Sequence, residues 1–277
     1  RAALTYDEHS GFQKEAAKTL CGLLSERFSD LKGHAALSSA ASRPAEFKAR
    51  PKAVQAAPQA LDVGSGTGSV VSFLKTLFPE ARLFGCDISA EMASIAKRKC
   101  PCARFTAGDF ERLPYRDSSF DIVVSSLAYQ WSEELAASFA EALRVLKTGG
   151  LFAFSTLGPE TLRELRLSLK DSSGGRPLKP YEFHGEGKIL NTLDSAGFAN
   201  VELIRTTEKK TYRDLFELLR ALKKAGAQGG TASFLSGLGA APLLKKASVI
   251  YAERFPSKEA LGITATYDLL YAFSVKC

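Results

Sequence analysis

Hydrophobic and polar positions alternate along the chain with two different periods. Apolar residues at helical spacing, Phe12, Ala16, Leu20, Leu23, Leu24 and Phe28, predict one or two amphipathic helices within residues 1 to 31. An Ala-, Ser- and Pro-rich stretch over 33 to 58 reads as a connector, its helical spells broken by Pro44, Pro51 and Pro58. From there short apolar runs alternate with helix-period stretches. Strands are expected at 60–63, 82–86, 103–107, 120–125 and 151–155, and each closes on a small or acidic residue. Helices are expected over 70–77, over 90–99 behind an N-cap at Ser89, and from about Glu133 to Leu146.

Beyond the fifth strand, Gly158-Pro159-Glu160 opens a helical pattern through Leu162, Leu165 and Leu169. A helix over 187–196, a sixth strand over 201–207 and a seventh over 267–275 follow. Between the last two strands, residues 212–266 exceed what a hairpin needs and contain helical stretches, so they read as a helical insertion over the substrate mouth. The whole is a doubly wound, mostly parallel, seven-stranded α/β pattern. Its expected division is a helical lid and connector (1–58), a ligand-binding core (59–211), the insertion (212–266) and a last core strand (267–277).

The first strand breaks into Asp62-Val63-Gly64-Ser65-Gly66-Thr67-Gly68 and then into a helix. Glycines let the chain turn sharply and let a ligand approach bare main chain, and the helix start is expected to offer unpaired N–H groups. A dinucleotide loop spaces its glycines as G-x-G-x-x-G. Here they run G-x-G-x-G behind an acid, which repels a pyrophosphate and suits a cation. In such a sheet ligands bind at the carboxyl ends of the strands. Asp87 stands there, 19 residues beyond Gly68, close to the spacing of about 20 at which an acid meets ribose hydroxyls, although it would also suit the helix dipole. Asp109 and Phe110 close the third strand, where an adenine amine and ring edge would be met, although a plain turn would also account for them.

Composition narrows the class. The 277 residues are 45% hydrophobic and 24% charged, enough to bury a sizeable core. No run approaches the roughly 20 apolar residues of a membrane span, and the first residues carry no signal-peptide apolar region, so a cytoplasmic protein without a membrane association is expected. A start at Arg1 is expected to follow at least one further residue. The five cysteines, at 21, 86, 100, 102 and 277, lack the paired spacing of a zinc site and read as reduced thiols. His9, His34 and His184 show no metal-ligand spacing, so no metal is expected. The net charge of +7 favours an acidic partner; dispersed basic residues without interleaved aromatics argue against nucleic acid.

Asp62, the Gly64-Gly66-Gly68 turn, Asp87, Gly108-Asp109 and Phe120-Asp121 together resemble the class I S-adenosylmethionine-dependent methyltransferases over about residues 60 to 157. The resemblance implies a Rossmann-like fold and S-adenosylmethionine as cofactor, with S-adenosylhomocysteine as product. It implies that Asp87 holds the ribose, Ile88 packs on adenine, Asp109 takes the adenine amine and the Ser125 main chain lines the methionine portion. Further stretches resemble one subfamily, the malonyl-acyl-carrier-protein O-methyltransferases of biotin synthesis. They are Ala3 to Asp7 with Gln13, Ser126-Leu127-Ala128-Tyr129-Gln130-Trp131, Leu222 to Ala227, and Thr266 to Ala272. This likeness implies that Tyr6 and Gln13 close over the cofactor, that a monomer acts, and that the acceptor is malonyl-loaded acyl-carrier protein or malonyl-coenzyme A.

A carboxylate acceptor fits a site without an evident base. A carboxylic acid with a pKa of about 4 is already ionised at neutral pH. Alignment and water exclusion then carry catalysis. An arginine fork is the usual device for orienting a carboxylate. A helix over 212–225 would put Arg213, Arg220 and Lys224 on one face, but a solvated basic face above a leucine stripe explains them better, so no catalytic residue is assigned. Two alternatives stay open: a methyltransferase of a quinone or other small molecule, and a non-catalytic assembly factor on the same fold.

Overall fold

A computed structural model describes residues 11–36, 57–174, 183–224, 240–258 and 261–277. Tyr6, most of the connector, residues 225–239 of the insertion and the seam at 259–260 lie outside them. In chain order the elements are α1 (Gly11–Ala36), β1 (Gln59–Val63), α2 (Ser69–Leu77), β2 (Arg82–Asp87), α3 (Ala90–Lys99), β3 (Arg104–Ala107), β4 (Phe120–Ser126), α4 (Leu135–Val145), β5 (Leu146–Leu157), α5 (Arg163–Ser172), α6 (Glu186–Ala196), β6 (Phe198–Tyr212), α7 (Leu215–Lys224), α8 (Ala240–Arg254) and β7 (Ile263–Lys276). The seven strands form one sheet in the order β3-β2-β1-β4-β5-β7-β6. The pairs β3·β2, β2·β1, β1·β4 and β4·β5 all run parallel, as helical crossovers require.

The chain divides into two compact units. The larger comprises Phe12–Thr156, Glu186–Ile204 and Leu270–Cys277. Its strands are β-branched and aromatic, and β4 is buried at Phe120, Ile122, Val123 and Val124. Tyr129 sits at the centre of an aromatic core, its ring edge-on to Phe139, Phe152 and Phe154 at 5.5, 5.9 and 5.6 Å. Ser89 caps α3 by accepting from the Met92 N–H at 3.3 Å. The helix α1 runs five residues past its expected end and buries Ala16, Leu20, Cys21, Leu24 and Phe28. Arg27 fixes it, forking onto Glu202 at 2.9 and 2.5 Å with its guanidinium 4.0 Å above the Phe273 ring. Its inner face is therefore core. All five cysteines are free thiols.

The smaller unit holds Leu157–Gly185 and Arg205–Leu269. Asp268, with 0% exposure, organises it. Its carboxylate accepts from Arg205 Nε at 2.8 Å, from Arg205 Nη2 at 2.9 Å and from the Glu160 N–H at 3.0 Å. Gly158 leaves room for it, since a Cβ there would lie 2.5 Å from Asp268 Oδ2. That closed turn explains why α5 begins at Arg163 and not at Gly158. Buried Glu164 accepts from the Thr266 N–H at 3.1 Å and from the Thr266 hydroxyl. Tyr212 and Tyr267 share a hydroxyl hydrogen bond of 2.8 Å. Helix α7 starts only at Leu215, because Arg213 precedes it, its N–H bonded to Glu217 at 2.5 Å and its guanidinium to Asp214 at 3.2 Å. The expected face of Arg213, Arg220 and Lys224 on one helix is thus not formed.

Strand five also corrects its expected bounds. It starts at Leu146, where Thr148-Gly149-Gly150 reads locally as a turn, and its register to β4 shifts between Phe120 and Ile122.

Candidate active site

At the end of β1 the three glycines take φ values of +72° at Gly64, +49° at Gly66 and +88° at Gly68. Such left-handed backbone costs an L-residue about 1–2 kcal/mol. At Gly64 space forbids a side chain as well, since a Cβ would lie 2.3 Å from that of Ala128. Ala128 is delivered by Leu127, itself left-handed at φ +53° and held by its N–H on the Ser155 carbonyl at 2.9 Å. The turn uses its own N–H groups. Gly64 and Ser65 donate to the Cys86 carbonyl at 2.8 and 2.9 Å, Gly68 to the Ser65 carbonyl at 2.8 Å, and Gly66 to Asp87 Oδ2 at 2.7 Å. These four bonds take up the N–H groups of the three glycines and of Ser65.

Several buried oxygens of the larger unit lack hydrogen-bond partners among the described residues. Asp62 is 1% exposed, and neither of its carboxylate oxygens has a hydrogen-bond partner among the described residues. The hydroxyls of Ser65, Ser125 and Tyr129 and the amide oxygens of Gln13 and Gln130 are likewise buried without a partner among the described residues. A buried polar group left unpaired costs about 1–3 kcal/mol, and folded proteins hold few of them. A phosphate-binding turn presents N–H donors. This acceptor-rich set fits a ligand that brings donors and positive charge, as the ammonium and sulfonium of S-adenosylmethionine do.

Electrostatics agree with that reading. Burial pushes the Asp62 carboxyl well above the usual carboxylate range, and the neighbouring Asp87 adds to the rise. Burial likewise pushes the Cys86 thiol up to about 12, helped by Asp87, Asp109 and Asp62. The Cys21 thiol on α1 rises through burial and then through Asp62, and the Tyr129 phenol rises chiefly through burial.

Asp87 ends β2 and joins two elements: Oδ2 takes the Gly66 N–H, and Oδ1 takes the Ser89 N–H at 2.9 Å where α3 begins. The carboxylate thus braces turn and helix together. Ile88 beside it is 74% exposed, an apolar surface of the kind a flat ring covers. Gly108 donates to the Asp87 carbonyl at 2.9 Å, which pins the ends of β2 and β3 side by side. Asp109 follows, exposed, with Oδ1 accepting from the Glu111 N–H at 2.9 Å. Phe110 turns inward, edge-on to Tyr129 at 5.6 Å. The structure therefore brings Asp62, the three glycines, Asp87, Ile88, Asp109, Phe110 and Ser125 to the carboxyl ends of β1 to β4. Ser65, Tyr129 and Gln130 join them without having been assigned from the sequence. The signals were present: Ser65 lies between the glycines, and the other two follow β4 directly.

This fold and this strand-end site define a class I S-adenosylmethionine-dependent methyltransferase. A family model described as a methyltransferase domain matches residues 61–154. Two solved structures share the fold at a TM-score of 0.55. They are the YcgJ protein of Bacillus subtilis, 19% identical over 80% of this chain and 92% of that one, and a Bacillus halodurans protein, 17% identical over 81% and 94%. The likeness to curated sequences is more specific. The malonyl-[acyl-carrier protein] O-methyltransferase of Dechloromonas aromatica is 34% identical across 100% of this chain and 91% of its own length. That of Herminiimonas arsenicoxydans is 31% identical across 100% and 93%. The chain belongs to the malonyl-[acyl-carrier protein] O-methyltransferase family.

Proposed function

We propose that this enzyme moves a methyl group from S-adenosylmethionine to the free carboxylate of a malonyl thioester on acyl-carrier protein, forming the methyl ester that opens biotin synthesis. The observation that carries the reading is the end-to-end likeness to relatives of that name, which spans both compact units and not only the cofactor core. S-adenosylmethionine supplies, when bound, an electrophilic methyl carbon on a sulfonium. Asp62 would face the ammonium of its methionine portion, with Ser65 and Ser125 alongside; Asp87 would accept from the ribose hydroxyls. Ile88 and Phe110 would enclose the adenine, and Asp109 would accept from its amine. Tyr6 and Gln13 would close over the cofactor.

No base is needed, because the acceptor arrives ionised, so the residues have only to align it and exclude water. The proposal gives cofactor binding to 59–211 and the strand over 267–277, cover to 1–58 and acceptor recognition to 212–266. It takes the enzyme as a cytoplasmic monomer that binds neither nucleic acid nor membrane. Among the described residues no helix is long and apolar enough to cross a membrane. The test is labelled S-adenosylmethionine with malonyl-carrier, malonyl-coenzyme A, acetyl-carrier and a quinone precursor. Label on the malonyl thioesters alone is expected. Equal label on acetyl-carrier defeats the carboxylate reading, label on the quinone alone favours a small-molecule methyltransferase, and no S-adenosylhomocysteine from any acceptor favours an assembly factor.

A further inference from the structure

Asp62 has an environment no ionised carboxylate tolerates alone. Among the described residues, the titratable groups electrostatically coupled to it are Cys21 from α1, Cys86 and Asp87 at the end of β2, and Tyr129 after β4, and none of these is a cation. Its own two oxygens have no hydrogen-bond partner among the described residues, lysines and arginines included. Asp87 differs, since two N–H groups already bond its carboxylate. A lone buried carboxylate adopts its neutral form rather than bear desolvation, which agrees with the upward displacement of Asp62. A cation brought beside it reverses that preference, because an opposite charge within about 4–6 Å favours the ionised form.

We infer that Asp62 is a neutral acid in the free enzyme and gives up its proton when the cofactor's ammonium comes beside it, so that S-adenosylmethionine binding expels one proton. This rests on the cofactor placement proposed above. In the step the Asp62 O–H bond breaks, its electron pair stays on the carboxylate, and the proton passes to the buffer; nothing is oxidised or reduced. By linkage, affinity rises about tenfold per pH unit while the pH stays below the value at which free Asp62 ionises. The rise ends where the cofactor's own amine loses its proton, at about 7.7–8.0 for an α-amino group. S-adenosylhomocysteine keeps the ammonium but lacks the sulfonium charge, so it should expel the same proton.

Calorimetry of the full chain at pH 6, in buffers of differing ionisation enthalpy, reads the proton directly. About one proton released is expected for S-adenosylmethionine and for S-adenosylhomocysteine, and none for Asp62→Asn. Infrared difference spectra of the wild type, which need no variant, should lose the carbonyl band of a protonated carboxylic acid on binding. Binding without proton release or band loss overturns the inference and leaves the cofactor assignment standing, as does release that persists in Asp62→Asn. Release with S-adenosylmethionine but not with S-adenosylhomocysteine overturns the ammonium as its cause. A chain that binds neither compound at any pH overturns the function and the inference together.

Discussion

Two aspartates in this molecule are buried equally and used in opposite ways. Asp268, in the smaller unit, is surrounded by donors: the Arg205 fork at 2.8 and 2.9 Å and the Glu160 N–H at 3.0 Å. Asp62, in the larger unit, is 1% exposed and has no donor for either oxygen among the described residues. Burial alone does not separate a structural acid from a functional one; the tally of partners does. A paired acid holds its own turn in place, whereas an unpaired one lowers stability and is retained only for something it meets later.

The comparison breaks most sharply at Asp268. Removing one partner of a buried pair leaves the other uncompensated, which costs about 3–5 kcal/mol. Because the Arg205 side chain is 41% exposed and can regain water, Asp268→Ala should fall near the lower end, about 3 kcal/mol. Urea denaturation measures it, and a loss under about 1 kcal/mol would show the fork to be ornamental.

Next in size is Gly64→Ala, where the left-handed backbone and the 2.3 Å approach to Ala128 both oppose a methyl group. Strain and overpacking together should cost about 2–4 kcal/mol. Gly66→Ala, with open space at its Cβ, should lose only about 1 kcal/mol for its φ of +49°. Equal losses at the two positions would mean that contact with Ala128 does not set the turn.

Local chemistry explains what could be read in advance. The glycine turn, Asp62 and Asp87 lie within 26 residues of one another, and each was legible because a strand, a turn and a helix cap leave marks at fixed short spacings. Asp268 and Arg205 meet across 63 residues, and Glu164 and Thr266 across 102, so no local period announces them. The neutral surroundings of Asp62 were equally hidden, because they depend on Cys21 arriving on a helix that the apolar pattern marked only as amphipathic. The glycines marked a sharp turn, and closing it takes up their own N–H groups. A sequence reveals which residues a turn needs and not which of its bonds remain open.

Binding sharpens the contrast within the larger unit. Asp87 braces the turn through Gly66 and Ser89 and is also the proposed ribose acceptor. Asp87→Ala should weaken S-adenosylmethionine by about 1.5–3 kcal/mol, the scale of charge-assisted hydrogen bonds. Calorimetry with the variant's melting curve separates the two roles. Unchanged affinity would remove the ribose assignment, while lost affinity with an intact melt would favour it.

The effect opposite in sign belongs to Asp62→Asn. Burial, with Asp87 beside it, raises the folded Asp62 carboxyl above the value of about 4 that it has in the unfolded chain. The folded state then binds more protons than the unfolded state, and the wild type loses stability as pH rises through that window. Asparagine has nearly the same shape and no proton to hold. At the acid end of the window the two proteins should match within about 0.5 kcal/mol, as near-isosteric changes without a broken contact do. The variant should become the more stable of the two as pH rises toward neutrality, while its S-adenosylmethionine binding falls. Paired urea titrations from pH 4 to pH 8 follow the difference. A wild type that is equally stable or more stable throughout would mean that Asp62 has a partner in solution, and the contrast with Asp268 would collapse.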